Sequence, residues 1–189
     1  WMTHNEISNQ ANLTDDVMSE FMIWTNSGLQ FAKDTTSEEK LAAMVQAAHF
    51  ELVASAKAVK IGHEINPDFM IGGMLNVAPL YPASPKPADM LAMQKARQLH
   101  DWFSDVHIRG EYPAEFEAFA KRTGYRPDIT AEDRDALREG TVDYLAVSYY
   151  NSTVIKAKGD RDTNLEDVKG YEIVPNPEIS VSDWGWGID

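Results

Sequence analysis

The chain has 189 residues, of which 43% are hydrophobic and 10% aromatic, and its formal net charge is −13. This composition argues against disorder, and the length suffices to bury one sizeable core. The negative charge argues against a surface for nucleic acid or anionic membranes, because phosphate contacts need clustered Lys and Arg. No apolar run is long enough for a membrane span, and the absence of cysteine excludes disulfides and thiolate metal sites and suits a reducing compartment.

The first clear element is a long helix. Thr36 followed by Glu39 forms a capping-box pattern, and apolar residues then recur at helical spacing until Asn66-Pro67 ends the run. Phe69–Val77 is short, apolar and contains glycine, which predicts a buried strand. A loop with four prolines follows at Pro79–Pro87.

Three further helices are predicted after this loop. Pro87 opens the first, which extends to about Arg109 on the spacing of its apolar residues. Pro113–Thr123 forms the second and is closed by Gly124. Thr130 with Asp133 caps the third, which stops at Gly140.

The second clear strand is Asp143–Tyr149, and the remainder, Asn151–Asp189, is polar and loop-like with an exposed turn at Gly159–Asp162. Strands separated by long helical stretches imply parallel pairing with helices packed outside. We therefore predict one α/β domain over residues 1–189. In a closed (β/α)₈ barrel the active site lies at the carboxyl ends of the strands. Two polar groups of this chain, Glu6 and Ser148-Tyr149-Tyr150, fall at such ends.

The segment Thr3-His4-Asn5-Glu6-Ile7 places a carboxylic acid beside a carboxamide. Cleavage of a glycosidic bond requires a proton on the leaving-group oxygen, and a glutamic acid with a raised pKa can deliver it. An adjacent Asn can hydrogen-bond a sugar hydroxyl. We predict Glu6 as the acid and Asn5 as its partner in binding the sugar, although such a pair by itself is more typical of a solvated helix start.

Further segments accompany this one in a fixed order. They are Ala47–Ala56, Ile71–Asn76, Asp101–Pro113, Asp143–Tyr150 and Ser182–Trp186. In this order and spacing the chain resembles the middle of a family 1 glycoside hydrolase, the family of β-glucosidases and 6-phospho-β-glucosidases. The resemblance implies a partial (β/α)₈ TIM barrel with the middle strands and helices only.

Two positions resemble one branch of that family. Most plain β-glucosidases have Pro after the catalytic Glu and Asn before the paired tyrosines, whereas this chain has Ile7 and Ser148. Both choices resemble the 6-phospho-β-glucosidases. The resemblance implies a phosphorylated β-glucoside as substrate and the bacterial cytoplasm as location. The charge of −13 does not help to attract such a substrate.

The resemblance also assigns roles to single residues. Tyr150 matches the family tyrosine that hydrogen-bonds the nucleophile, and it is counted with Glu6 as catalytic. Ser148 precedes the tyrosine pair and is expected near the sugar. Trp186 matches the aromatic residue that lines the aglycone side, where a flat apolar face can stack on a sugar or aryl group. Trp184 is expected in the core.

The second carboxylate of a retaining glycosidase is missing. In the family this nucleophile lies in a Glu-Asn-Gly motif on a later strand, and no Glu-Asn-Gly occurs in the 189 residues. The phosphate-reading loop of the phospho-enzymes is also absent. We expect the chain to be the central piece of an enzyme, and to be inactive alone.

No metal or cofactor is predicted. His49 with Glu51, and His63 with Glu64, lack the spacing of a ligand set. Asp160–Tyr171 resembles the opening of a calcium loop but lacks the glycine at its sixth place and the glutamate at its twelfth. His107 and Arg109 are expected to tie their helix to neighbouring loops.

Two alternatives remain open from the sequence. The chain is a non-catalytic carbohydrate-binding or interaction module, whose exposed strand edges would make a homo-oligomer possible, or it belongs to a plain β-glucosidase or phospho-β-galactosidase.

Overall fold

The structure is a computed structural model, and it describes residues 1–11, 16–159 and 170–188. It contains two compact units. The first comprises Trp1–Asn76 and His100–Ser148, and the second comprises Val77–Leu99 and Tyr149–Asp189.

Five α-helices and one short 3₁₀ helix occur in the described residues. They are the 3₁₀ helix Ile7–Ala11, α1 (Asp16–Ser27), α2 (Ser37–Ile65), α3 (Pro87–Arg109), α4 (Ala114–Thr123) and α5 (Ala131–Glu139). Helices α2 to α5 confirm the four predicted ones. Helix α1 was not predicted. In its second half Phe21 and Trp24 are exposed while Ile23 is buried, so the apolar residues there do not share one face.

The predicted helix caps are present. Thr36 Oγ1 accepts from the backbone N–H of Glu39 at 3.2 Å, and Glu39 Oε2 accepts from the backbone N–H of Thr36 at 2.9 Å. Thr130 and Asp133 form the same reciprocal pair at the start of α5. Gly124 closes α4 with φ of 79°, a left-handed conformation that favours glycine. Each of the two threonine N-caps stabilises its helix by about 1 kcal/mol.

Seven short strands are described. They are β1 (Gly72–Asn76), β2 (Leu80–Pro82), β3 (Tyr144–Ser148), β4 (Thr153–Ala157), β5 (Tyr171–Val174), β6 (Ser180–Val181) and β7 (Gly187–Ile188).

The first unit contains the parallel strands. β1 and β3 pair in parallel along their whole length, from Gly72 opposite Tyr144 to Asn76 opposite Ser148. On the other edge of β1, Met2 forms a parallel bridge to Gly72. Both predicted strands are confirmed and are shorter than predicted, and the strand leading to Glu6 is reduced to this bridge. The helices between these stretches are the crossover connections that parallel pairing requires.

An aromatic cluster forms the centre of this unit. Trp102 on α3 is 2% exposed. Its ring centroid lies 4.5 Å from that of Phe116 on α4 and 5.5 Å from that of Tyr112. Burial and ring packing therefore join α3 to α4, and the cluster supplies much of the apolar area that stabilises the unit.

Two glycines permit close approaches behind the parallel strands. A Cβ on Gly73 would lie 2.9 to 3.1 Å from the ring atoms of His107, so the glycine lets α3 pack directly on β1. A Cβ on Gly140 would lie 2.0 Å from the carbonyl oxygen of Ala56, so α2 contacts the end of α5 through backbone. A side chain at either position would force the elements apart.

The second unit contains the remaining strands. β4 pairs in parallel with β2 and antiparallel with β5, and β6 pairs antiparallel with β7. The prediction of a loop throughout Pro79–Pro87 is therefore wrong at Leu80–Pro82, where a proline is tolerated at a sheet edge. The loop-like interpretation of Asn151–Asp189 is also wrong, because short strands there bury Ile155 and Tyr171 between polar stretches.

The histidines of α2 have structural contacts. His49 Nδ1 lies 2.9 Å from Tyr112 Oη and its Nε2 lies 3.4 Å from Asp133 Oδ2. His63 Nε2 lies 2.9 Å from Asp143 Oδ2. Among residues 1–11, 16–159 and 170–188, no three His, Asp or Glu side chains are grouped as a metal site would require.

Two predictions on the polar tail fall on residues 160–169. These ten residues of the calcium-like segment, and all of the predicted turn except Gly159, lie outside the described residues. No helix in the described part of the chain is both long and apolar enough to cross a bilayer.

His107 makes stability depend on pH. It is 4% exposed, and burial, with a smaller contribution from His4, lowers its pKa from 6.5 to about 4. The folded state therefore keeps this imidazole neutral where the unfolded chain binds a proton. The neutral His107 therefore contributes to the free energy of unfolding above pH 6.5, and this contribution is lost as the pH falls towards 4. Its full size is about 3 kcal/mol.

We expect the substitution His107→Gln to reduce that loss. Urea unfolding at about pH 7 and about pH 4.5 should show that the decline in the free energy of unfolding is smaller in the variant by about 2 kcal/mol. The value at neutral pH serves as the internal reference, because it removes the packing cost of the substitution. Equal declines in both proteins would contradict the assignment to His107.

Candidate active site

Glu6 lies just beyond the carboxyl end of the first parallel stretch. The stretch is anchored where Met2 bridges Gly72 and where the Thr3 N–H donates to the Gly72 carbonyl at 3.0 Å. The backbone of Glu6 has φ of 49°, a left-handed conformation that is uncommon for a residue with a side chain. This turn ends the extended segment and starts the 3₁₀ helix. Glu6 is half-buried and Asn5 is exposed.

Two asparagines connect Glu6 to β1. Asn9 Nδ2 donates to Glu6 Oε2 at 2.9 Å, and Asn76 Nδ2 donates to Asn9 Oδ1 at 3.3 Å. Asn9 is 5% exposed. The carboxylate is therefore joined to the last residue of a parallel strand through one buried amide.

Ser8 also connects the 3₁₀ helix to the end of β1. The Asn76 N–H donates to Ser8 Oγ at 3.1 Å, and Ser8 Oγ lies 3.4 Å from the Asn76 carbonyl as a donor. Asn76 is also the register partner of Ser148 in the β1–β3 pair. The structure thus brings Glu6 and Ser148 to the carboxyl-terminal side of one set of parallel strands, with Asn5 next to Glu6 in the chain.

Tyr150 and Trp186 belong to the second unit, where they contact each other. Their ring centroids lie 5.9 Å apart in an edge-to-face arrangement, and both side chains are more than half exposed, at 54% and 57%. Trp186 is positioned by a hairpin in which the Ser182 N–H donates to the Trp186 carbonyl at 2.7 Å. Exposed aromatic rings held in this way offer flat apolar faces to a sugar or aryl group.

Trp184 was predicted in the core and that prediction is wrong. It is 88% exposed. It lies in the connection between β6 and β7, where Gly185 has φ of 82°. A residue at the tip of a two-stranded hairpin has no core within reach, which explains the exposure.

Asn9 and Asn76 were given no role from sequence. Asn9 follows Glu6 by three residues, a spacing at which side chains on a helical turn face each other. Asn76 ends a predicted strand, the position where barrel enzymes place functional groups. Both signals are present in the sequence, but each is common, and the contact between the two residues arises only in the folded chain.

The described site holds one carboxyl group beside an exposed amide. Glu6 can give and take a proton, and the amide of Asn5 can bind a sugar hydroxyl. Retaining glycosidases use a second carboxylate as nucleophile, and the Glu-Asn-Gly motif does not occur in the 189 residues.

Comparison with curated proteins gives close relatives over the whole chain. It is 46% identical over 194 residues to the aryl-phospho-beta-D-glucosidase BglA of Bacillus subtilis, covering 100% of this chain and 38% of that protein. It is 38% identical over 193 residues to a 6-phospho-beta-glucosidase of Dickeya chrysanthemi, covering 100% of this chain and 37% of that protein. The chain thus spans less than two fifths of the length of these relatives.

Solved structures with the same fold are family 1 β-glucosidases. One from Thermotoga maritima superposes with a TM-score of 0.71 at 23% identity, covering 98% of this chain and 36% of that one. One from Exiguobacterium antarcticum gives 0.71 at 21% identity, covering 98% and 38%. These matches confirm the predicted α/β fold, a partial (β/α)₈ barrel. The model of glycosyl hydrolase family 1 matches residues 1–189, and the chain belongs to that family.

Proposed function

We propose that a protein containing this chain is a retaining 6-phospho-β-glucosidase, in which Glu6 is the general acid and base. The observation that carries this proposal is the Glu6 carboxylate at the carboxyl-terminal side of the parallel strands, held by the Asn9 amide at 2.9 Å. The substrate class is supported by the names of relatives that match the whole chain at 46% and 38% identity. Ile7 and Ser148 agree with the same branch by resemblance.

The proposed roles follow the direction of proton transfer. Glu6 protonates the oxygen of the leaving aglycone as the sugar becomes oxocarbenium-like, and then removes a proton from the water that releases the sugar. Asn5 binds a sugar hydroxyl, and Ser148 lies near the sugar. Tyr150 orients the nucleophile, and Trp186 stacks on the aglycone.

The phosphate of the substrate requires its own local partners. The chain carries a net charge of −13, so its overall field repels a phosphorylated sugar rather than attracting it. Local cations or backbone N–H groups must bind the phosphate, and we propose that they lie in the rest of the barrel. The cytoplasm, where phosphorylated sugars are retained, is the proposed location.

The test compares two substrates that differ only in the phosphate. A protein that contains these 189 residues together with the remaining strands of the barrel should hydrolyse an aryl 6-phospho-β-glucoside with a kcat/KM about 100-fold or more above that for the aryl β-glucoside, or about 3 kcal/mol. The 189 residues alone should show no turnover, because the nucleophile motif is absent.

Each other outcome selects a different function. A preference for the unphosphorylated glucoside would indicate a plain β-glucosidase. Turnover of neither substrate by the complete protein would leave carbohydrate binding, for which the exposed Tyr150–Trp186 pair is the supporting observation. Turnover by the 189 residues alone would overturn the need for an external nucleophile.

A further inference from the structure

We propose that Asn9 is a positioning residue for Glu6, and that Asn76 fixes the orientation of the Asn9 amide. The inference rests on the proposed role of Glu6 as general acid and base. It assigns a function to two residues that carry none in the proposed mechanism above.

The Asn9 amide contacts two groups that demand opposite ends of it. Its Nδ2 donates to Glu6 Oε2 at 2.9 Å, and its Oδ1 accepts from Asn76 Nδ2 at 3.3 Å. A flipped amide would place oxygen against the carboxylate and N–H against N–H, so both contacts would become repulsive. Asn9 is 5% exposed, so water cannot readily replace either contact. With Asn76 Nδ2 as the donor and the Glu6 carboxylate ionised, the network therefore favours one orientation of the Asn9 amide.

The backbone of Asn76 is held more firmly than that of Glu6. It ends β1, pairs in register with Ser148, and its N–H donates to Ser8 Oγ at 3.1 Å. Glu6 follows an isolated bridge and has a left-handed backbone with φ of 49°. Glu6 thus has little regular structure of its own, and the strand determines its side-chain direction through Asn76 and Asn9.

The contact also favours one carboxyl oxygen as the carrier of the proton. Oε2 of Glu6 accepts from the N–H of Asn9, and the hydroxyl oxygen of a carboxylic acid accepts such a bond more weakly than the carbonyl oxygen does. In the acid form the contact therefore favours Oε1 as the oxygen that carries the proton and transfers it to the leaving-group oxygen. Holding Oε2 fixes the direction of that transfer, which matters because misplacement by about 1 Å can cost about 100-fold in rate.

A structural role alone predicts a different kinetic pattern. If Asn9 only stabilises the 3₁₀ helix, its loss should lower the rates of all substrates alike. If it positions the acid, its loss should matter only where protonation of the leaving group is needed. A series of aryl 6-phospho-β-glucosides with leaving groups of different acidity separates the two roles.

We therefore compare Asn9→Leu with the control Ala11→Gly in the complete enzyme. Ala11 lies in the same 3₁₀ helix and is 2% exposed, and its side chain is a methyl group that cannot hydrogen-bond Glu6 or Asn76. Asn9→Leu should lower kcat/KM by about 10-fold to 100-fold for the least acidic leaving groups and by less than about 3-fold for the most acidic. Ala11→Gly weakens the helix without changing the amide network, and should give one uniform, small loss across the series.

Asn76→Ala provides a second variant outside the 3₁₀ helix, for use also if Asn9→Leu does not fold. It should produce the same dependence on the leaving group with a smaller amplitude. A uniform loss in the foldable variants of Asn9 and Asn76 would overturn the proposal. Glu6→Gln in the same series distinguishes the two failures: if it depends on the leaving group while the asparagine variants do not, only the positioning role fails, and if it does not, the proposed function of Glu6 fails.

Discussion

Glu6→Gln in the complete enzyme is expected to lower kcat/KM for 6-phospho-β-glucosides with poor leaving groups by about 10²-fold to 10⁴-fold, the range typical of a lost general acid. Activated aryl substrates should keep their kcat/KM, because their leaving groups depart without a proton. Their kcat should still fall, since the same residue activates water in the second step. The measurement is the dependence of kcat/KM on leaving-group acidity.

A matched control removes a different glutamate charge. Glu115 lies exposed in the first turn of α4, and Glu115→Gln should leave both substrate classes unchanged. Equal losses on good and poor leaving groups in Glu6→Gln would remove Glu6 from the acid role. A leaving-group dependence in Glu115→Gln as well would show that the assay responds to surface charge rather than to the site.

Trp102→Ala is expected to have the largest effect on stability. Trp102 is 2% exposed and stacks between α3 and α4 on Tyr112 and Phe116. Its removal should cost about 3 to 5 kcal/mol, because the cavity cannot collapse between two packed rings. Since small proteins are stable by only about 5 to 15 kcal/mol, the variant should unfold at a much lower urea concentration.

Trp184→Ala is the matched control, since it removes the same side chain from a site that is 88% exposed. It should change the free energy of unfolding by less than about 0.5 kcal/mol. A similar cost for both substitutions would contradict the burial that the structure assigns to the two tryptophans. Urea unfolding of the three proteins under one buffer condition makes the comparison.

Local signals in the sequence sufficed for helices α2, α4 and α5. The starts of α2 and α5 follow from side chains that act on nearby backbone, Thr36 with Glu39 and Thr130 with Asp133, and α4 ends at Gly124. These interactions span three residues, so no knowledge of the tertiary fold is needed to see them. The strands β1 and β3 were visible as short, mainly apolar runs, although Val147 on β3 is 58% exposed.

Strands that depend on a partner were missed. β2 and β4 are short, and the proline in Leu80–Pro82 is more typical of a loop. This segment is a strand because it pairs with Thr153–Ala157. The burial of Trp184 was predicted wrongly for a similar reason. A large aromatic residue is usually buried, and its exposure here follows from the hairpin, which the sequence did not predict.

The sequence by itself determined the family, the bounds of helices α2 to α5 and Glu6 as the candidate acid, because motifs, helical periodicity and capping pairs can be recognised along the chain without its fold. Only the tertiary structure decided how Glu6 is held. Asn9 and Asn76 are 67 residues apart and meet because parallel pairing brings the end of β1 beside the 3₁₀ helix. Contacts of that kind depend on strand register, which no local pattern near Glu6 records.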